Sequence, residues 1–221
     1  MPASALAKPY ASFGFPEDLP RCAAGTVLIC NEQQDGGGSG SGFLLTQDGY
    51  IVTCLHVVRG AESLRVRVSV PGRTDGAISW HTARVIRTDE ELDAALLKID
   101  VMGFPALPIA PDTEEVTIVD SIFLLGYPFG GSLADSYDEL ALSKFEGTVS
   151  SLQMINKRQR IMTNMEAKSG CSGGPVFFKK TGHVIGILPG SATRANGKLV
   201  EEINYVLPIR YIRERFLGPD A

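Results

Sequence analysis

The sequence predicts an all-β chain, built from two β halves of similar size and one short helix near the C-terminal end. Short runs of strand-favouring residues recur along it, and 24 glycines and 13 prolines separate them. No long 3.6-residue periodicity appears before the last residues. Many short strands with Gly and Pro between them favour a barrel or a sandwich. With 221 residues, 44% of them hydrophobic, the chain can bury a sizeable core.

The first β half is predicted over residues 21–102. Residues 1–20 are expected to be irregular because four prolines interrupt them. A Gly-rich stretch at 33–42 leads directly into apolar residues and a turn at 47–49, which favours a hairpin over a bare linker. The strands expected in this half cover residues 22–30, 43–45, 50–53, 63–70, 78–88 and 94–99.

The second β half is predicted over residues 116–221, after a crossover at 103–115 that contains three prolines. Its expected strands cover residues 116–126, 144–154, 160–165, 175–178, 183–188 and 203–207. Beyond Pro208 the pattern changes, since Ile209, Ile212 and Phe216 fit one face of a short helix with proline in its first turn.

Composition excludes some function classes. The net charge is −4, and the densest basic run, at residues 157–160, is short and fits a solvated loop, so we expect no nucleic-acid partner. No apolar run reaches transmembrane length and no signal peptide is visible, which predicts a cytoplasmic chain with free thiols and no membrane partner. No Cys/His pair has ligand spacing, so neither a metal nor a cofactor is expected.

A serine boxed by glycines is the strongest chemical signal. Ser172 lies in the run 169–175, Ser-Gly-Cys-Ser-Gly-Gly-Pro, directly before an apolar strand. Such glycine density indicates unusual backbone angles or a close backbone approach. Ser172 is therefore a candidate nucleophile, and the N–H groups of Gly170 and Ser172 are candidate oxyanion donors. Cys171 is an alternative nucleophile, but its place between the two donors predicts a side chain that points into the protein.

His56 and Asp93 are the candidate partners of Ser172. His56 follows a strand, and Asp93 begins the apolar run 94–99, where a partly buried carboxylate needs a hydrogen-bond donor. The chain order His, Asp, Ser fits one Ser–His–Asp relay. The G-x-S-x-G elbow of α/β-hydrolases is also matched at 170–174, but that fold requires a helix after the serine and a later histidine.

These stretches resemble the trypsin-like serine proteases of the HtrA (DegP) type. The resemblance rests on five motifs in order, at residues 41–58, 93–99, 126–130, 170–176 and 203–209. It implies two six-stranded antiparallel β-barrels in the chymotrypsin/trypsin-like fold, with a His56–Asp93–Ser172 triad between them. It further implies serine endopeptidase activity on protein or peptide substrates.

The same resemblance suggests substrate contacts. The position six residues before the serine is Glu166, which with Ala167 would lie at the base of the S1 pocket and favour Arg or Lys at P1. The other interpretation of Glu166 is a solvent-exposed side chain or a pair with Lys168. Pro189, Gly190 and Ser191 would line the strand that pairs with substrate backbone.

The sequence departs from the pattern of this family at two points, and each limits which family properties are expected here. Cys171 stands where the family usually has Asn and where digestive trypsins have Asp, so we expect no activation switch based on an ion pair there. No PDZ domain is expected within this sequence. Three alternatives stay open: a viral-type processing protease, an inactive peptide-binding module with the same fold, and one domain of a longer protein regulated by a partner or by further domains.

Overall fold

The computed structural model describes residues 19–34, 37–70, 77–112, 114–130, 136–189, 193–195, 198–200 and 204–218. Two β units contain most of these residues, which confirms the predicted all-β class. Within this part of the chain, no helix has the length and apolar character needed to cross a membrane.

The N-terminal unit is a seven-stranded antiparallel sheet with the order β5-β4-β1-β2-β3-β7-β6. Its strands are β1 (Thr26–Glu32), β2 (Gly38–Leu44), β3 (Tyr50–Cys54), β4 (Ser63–Ser69), β5 (Ile78–Thr82), β6 (Arg84–Asp89) and β7 (Ala94–Lys98). The edge strands β5 and β6 are separated only by Ala83, so one bent chain segment forms both edges. The Ala83 N–H continues the pairing with β4, since it donates to the Leu64 carbonyl at 2.9 Å.

The C-terminal unit is a closed six-stranded barrel with the order β10-β15-β12-β11-β8-β9. Its strands are β8 (Ser121–Gly126), β9 (Ser143–Ile155), β10 (Arg158–Thr163), β11 (Pro175–Phe178), β12 (Val184–Ile187) and β15 (Tyr205–Pro208). A separate hairpin, β13 (Thr193–Ala195) and β14 (Lys198–Val200), was not expected from the sequence. Inside the barrel the Phe123 and Phe177 rings stack at 4.7 Å, both fully buried.

Two local expectations need correction. Residues 22–25 are not strand, because helix α1 (Leu19–Gly25) starts before them. Pro20 suits the first turn of a helix, and the following alanines favour helix. Residues 116–120 are not strand either, since the Asp120 carboxylate accepts the Thr117 N–H at 2.7 Å and closes a turn.

Two short helices complete the fold. Helix α2 (Leu55–Val58) follows β3 directly. Helix α3 (Ile209–Ile212) continues into a π-helical segment, Arg213–Leu217, and together they form the C-terminal helix. Ile209, Ile212 and Phe216 are buried, as the apolar spacing predicted.

Candidate active site

Strand pairing brings His56 and Asp93 together. In the N-terminal sheet, Cys54 at the end of β3 pairs with Ala94 at the start of β7. His56 lies two residues past one strand and Asp93 one residue before the other, so both side chains emerge at the same end of the sheet. The Leu55 N–H donates to the Asp93 carbonyl at 3.0 Å and extends this pairing beyond the strands.

The Asp93 carboxylate holds His56 at two points. Its Oδ2 lies 2.6 Å from His56 Nδ1, and its Oδ1 accepts the backbone N–H of His56 at 2.9 Å. Asp93 itself has φ +52°, a conformation that few non-glycine residues adopt. The two side chains are 44% and 34% exposed, so the pair is partly open to solvent. A carboxylate on Nδ1 leaves Nε2 as the base for a proton from a hydroxyl.

The serine loop, residues 164–174, lies against the strands that carry His56. At Gly173, which has φ +82°, a side chain would lie 2.3 Å from both Ser41 O and Thr53 Oγ1. The Gly173 N–H donates to Leu188 O at 2.7 Å, and the same carbonyl lies 3.4 Å from the Cys54 thiol. Glycine at this position therefore allows the loop next to Ser172 to contact the N-terminal sheet closely.

Ser41, which the sequence interpretation assigned no role of its own, holds the serine loop from the opposite barrel. It is fully buried on β2. Its hydroxyl donates to Gly170 O at 2.8 Å and accepts the Tyr127 N–H at 2.9 Å. Its own N–H donates to Ser172 O at 2.9 Å. The position of Ser41 within Gly-Ser-Gly gave no local sign of this function, because its contacts with the serine loop span more than a hundred residues.

Both candidate oxyanion donors are available. Among the described residues, neither the Gly170 N–H nor the Ser172 N–H donates to a protein acceptor. The Ser169 carbonyl accepts the Phe129 N–H at 2.5 Å. Because a trans peptide directs its C=O and N–H to opposite sides, this bond makes the Gly170 N–H point away from Phe129. Gly170 has φ +91°, and a Cβ there would lie 2.4 Å from Tyr127 O.

Ser172 Oγ makes no hydrogen bond within the described part of the chain, to His56 or to any other residue. Bonds of this kind are often long in unliganded sites and shorten when substrate binds. The serine itself is partly exposed, whereas its neighbour Cys171 is fully buried. Burial raises the pKa of the Cys171 thiol to about 11, so the thiol is protonated and unreactive near neutral pH.

One group of possible metal ligands exists among the described residues, and it overlaps this site. Single ligand atoms of Cys54, His56 and Asp93 lie within 4.8 Å of one another. Burial raises the pKa of the Cys54 thiol, and the Asp93 charge adds to that effect. A protonated, buried thiol is a poor ligand, whereas the short His56–Asp93 contact fits a hydrogen bond.

The predicted substrate contacts are placed as follows. The Glu166 side chain is 89% exposed, and its carboxylate lies 4.0 Å from Lys168 Nζ. Ala167 is buried and Pro189 is partly buried. Gly190 and Ser191 lie outside the described residues. The arrangement of Glu166 matches the alternative interpretation of this residue, a solvent-exposed carboxylate beside Lys168.

Comparison with known sequences identifies a family for this chain. Residues 40–187 match the family model of the trypsin-like peptidase domain. A periplasmic serine endoprotease DegP-like protein of Pseudomonas putida is 30% identical over 81% of this chain and 34% of its own length. A protein with the same name from Halomonas elongata is 32% identical over 77% of this chain and 32% of its own length. The chain therefore spans about a third of the length of these curated relatives.

The names of these relatives correct the expected cytoplasmic location. The cytoplasmic location was inferred from a missing signal peptide, which is not positive evidence, and the relatives named periplasmic overturn it. The four cysteines are all free and buried in the structure, an arrangement that does not depend on a reducing compartment.

Solved structures share the fold. The serine endoprotease from Yersinia pestis superimposes with a TM-score of 0.71 at 24% identity, covering 93% of this chain and 66% of that one. An HtrA-type protease with a tripeptide gives 0.72 at 21% identity, with coverages of 93% and 63%. The double-barrel architecture predicted from the resemblance is thereby confirmed. With more than half of its length matched by the family model, the chain belongs to the trypsin-like peptidase domain family.

Proposed function

We propose that this protein is a serine endopeptidase that cleaves protein or peptide substrates through an acyl-enzyme. The observation that carries the proposal is the contact of His56 Nδ1 with the Asp93 carboxylate at 2.6 Å, at the end of a sheet whose strands also hold the Ser172 loop. In this arrangement the imidazole has a fixed tautomer and a free Nε2, which are the requirements of a general base for a serine nucleophile.

The reaction begins with attack of Ser172 Oγ on the scissile carbonyl carbon. His56 Nε2 accepts the hydroxyl proton and then donates it to the leaving amine, so that the peptide C–N bond breaks and the acyl group stays on Ser172. A water molecule, deprotonated by the same nitrogen, attacks the ester and releases the acid. Asp93 stabilises the imidazolium that forms twice in each turnover.

The N–H groups of Gly170 and Ser172 stabilise the oxyanion of both tetrahedral intermediates. Neither is engaged with a protein acceptor in the described part of the chain, and the Phe129–Ser169 hydrogen bond sets the direction of the Gly170 N–H. Each donor of this kind contributes about 3–4 kcal/mol to the transition state. Ser41, which donates to Gly170 O and to Ser172 O, fixes the position of the two residues that carry these N–H groups.

A preference for Arg or Lys at P1 would require Glu166 to lie in the S1 pocket. The position of Glu166 argues against strong selection of charged P1 residues. A carboxylate that is 89% exposed is well solvated, and Lys168 competes for it. We expect the Glu166→Gln variant to keep the wild-type P1 profile. A panel of peptides that differ only at P1 tests this expectation. If the variant lost cleavage after Arg and Lys, Glu166 would be assigned to the S1 pocket.

The relatives' names also suggest where the protein works. We infer a periplasmic location from the DegP-like proteins. Fractionation of the native host with an antibody against this chain tests it, and recovery of the protein in the cytoplasmic fraction would contradict the inference.

Labelling with a fluorophosphonate probe tests the activity itself. The wild-type protein should be labelled and should cleave an unstructured protein substrate, whereas Ser172→Ala should lose both, with turnover lower by about 10⁶-fold. Thr117→Ala is a suitable control, since it removes a hydroxyl from an exposed turn far from the site in sequence. A protein that neither reacts with the probe nor cleaves peptides would instead be a binding module. Most of the activity persisting in Ser172→Ala would exclude this serine as the nucleophile.

A further inference from the structure

The turn that leads into Asp93 has an unusual set of charged contacts. Residues 89–93 connect β6 to β7 and carry four carboxylates. The turn ends in Asp93 with φ +52°, a left-handed conformation that is strained for a residue other than glycine. The surroundings of the turn must therefore maintain the conformation that presents the Asp93 carboxylate to His56.

Asp89 is the buried anchor of this turn. Its side chain is only 3% exposed, whereas those of Glu90 and Glu91 beside it are exposed. Its Oδ1 accepts the Leu92 N–H at 2.9 Å, so the carboxylate closes the turn one residue before Asp93. Its Oδ2 forms an ion pair with Arg215 Nε. Burial opposes ionisation of Asp89, but the hydrogen bonds from Arg215 and from the Leu92 and Glu91 N–H groups outweigh it and lower the pKa.

Arg215 comes from the C-terminal helix, which is itself fixed. Two residues earlier, Arg213 is buried, with Nη1 2.5 Å from Asp112 Oδ1 and Nη2 bonded to the Ala110 carbonyl. The helix is therefore tied to the segment between the barrels, and its Arg215 reaches back to the N-terminal sheet. In this way one end of the chain contacts the turn of the proposed catalytic aspartate.

Two further ion pairs on the turn are weaker. Arg59 pairs with Glu90 and Arg158 pairs with Glu91, each at 2.5 Å, but both glutamates are at least 67% exposed. Exposed pairs contribute little, because solvent and salt screen them. Removing the partner of a buried carboxylate has a larger effect, since the charge then lacks compensation. The Asp89–Arg215 pair is therefore the contact that holds the turn.

We propose that Arg215 is a positioning residue for the reaction, which acts through Asp89 and its turn to hold Asp93 against His56. This inference rests on the proposed peptidase function, since Asp93 has no other known task. Without Arg215, Asp89 keeps only its backbone donors. The turn can then relax from the left-handed conformation of Asp93, and the 2.6 Å contact with His56 Nδ1 loosens.

The kinetic test compares Arg215→Ala with Arg84→Ala. Arg84 is a matched control, because it is equally exposed, at 59%, and pairs with Asp100 at an edge of the same sheet. Arg215→Ala should lower kcat roughly tenfold, because displacement of a catalytic group by a fraction of an ångström has effects of this size, while KM stays near the wild-type value. Arg215→Lys should restore most of the loss, and Arg84→Ala should match the wild type.

A second readout does not need activity. The downfield proton NMR signal of His56 Nδ1–H reports the hydrogen bond to Asp93, and it should weaken in Arg215→Ala and persist in Arg84→Ala. Thermal unfolding shows whether each variant is folded at the assay temperature, and Arg215→Lys or Asp89→Asn replaces the alanine variant if it is not. An unchanged signal and an unchanged kcat in folded Arg215→Ala would overturn the proposal. If the peptidase assignment itself is wrong, the wild-type protein will show no Ser172-dependent turnover.

Discussion

Substitution of Gly170 by alanine tests the proposed oxyanion hole most directly. Gly170 has φ +91°, and an added Cβ would lie 2.4 Å from Tyr127 O and 3.0 Å from Phe129 N. Both neighbours are backbone atoms, which cannot move aside as a flexible side chain can. The peptide between Ser169 and Gly170 must therefore rotate, and rotation breaks the Phe129–Ser169 hydrogen bond that sets the direction of the Gly170 N–H.

The expected effect has two parts. Placing alanine in the left-handed region costs about 1–2 kcal/mol of stability. Loss of one oxyanion donor raises the activation free energy by about 3 kcal/mol, which corresponds to roughly 10²-fold in kcat. KM should change much less, because the N–H group binds the tetrahedral intermediate more strongly than the ground-state carbonyl.

Gly103→Ala is the matched control for this substitution. Gly103 also has a positive φ, +77°, but a Cβ there would meet nothing within 4 Å. It should therefore show the backbone cost alone, as a lower Tm with unchanged kcat. Steady-state kinetics on a peptide substrate, with thermal unfolding of both variants, makes the comparison. If Gly170→Ala kept more than half of the wild-type kcat, the assignment of its N–H to the oxyanion hole would be wrong.

Three other predictions concern thiols, a buried cation and acid stability. Burial raises the pKa of Cys30 to about 12 and of Cys171 to about 11, so mild alkylation near neutral pH should leave the activity intact; stoichiometric inactivation would contradict this. Arg67, buried, donates to three carbonyls of residues 137–140, so Arg67→Ala should lower the free energy of unfolding by about 3 kcal/mol in denaturant titrations. The pKa of Asp89 is lowered on folding, so its stabilisation is complete above its unfolded pKa of about 3.9 and disappears as the pH falls through the folded value. Asp89→Asn should therefore flatten the loss of stability on acidification below about pH 4, and an unchanged slope would contradict the assignment.

The parts of the fold that the sequence predicted well are those set by local patterns. Strand β11 (Pro175–Phe178) was predicted with its observed bounds, because a proline and a following lysine pair limit an apolar run. The C-terminal helix followed from three apolar residues at helical spacing. His56 and Asp93 could be named because each lies at the end of a recognisable strand, and strand ends are where side chains leave the sheet.

What the sequence did not reveal depends on contacts between distant residues. Asp89 has the same local context as Glu90 and Glu91, yet only Asp89 is buried, because Arg215 reaches it from the other end of the chain. Ser41 has an ordinary position in a glycine-rich strand, and its two contacts with the serine loop exist only once both barrels have formed. A single sequence contains no local sign of either pairing.

The same long-range contacts determine how the geometry of the proposed active site is maintained. The residue before the serine is a buried, protonated thiol, so no charge stands there to make the loop depend on an ion pair. The bonds from Ser41 and Phe129 to the loop are neutral donor–acceptor pairs, which do not titrate near neutral pH. Asp93, in contrast, depends in our proposal on the ionic contact between Asp89 and Arg215. The proposed nucleophile and oxyanion donors are then held by uncharged contacts, and electrostatic control of the proposed reaction acts on His56 and Asp93.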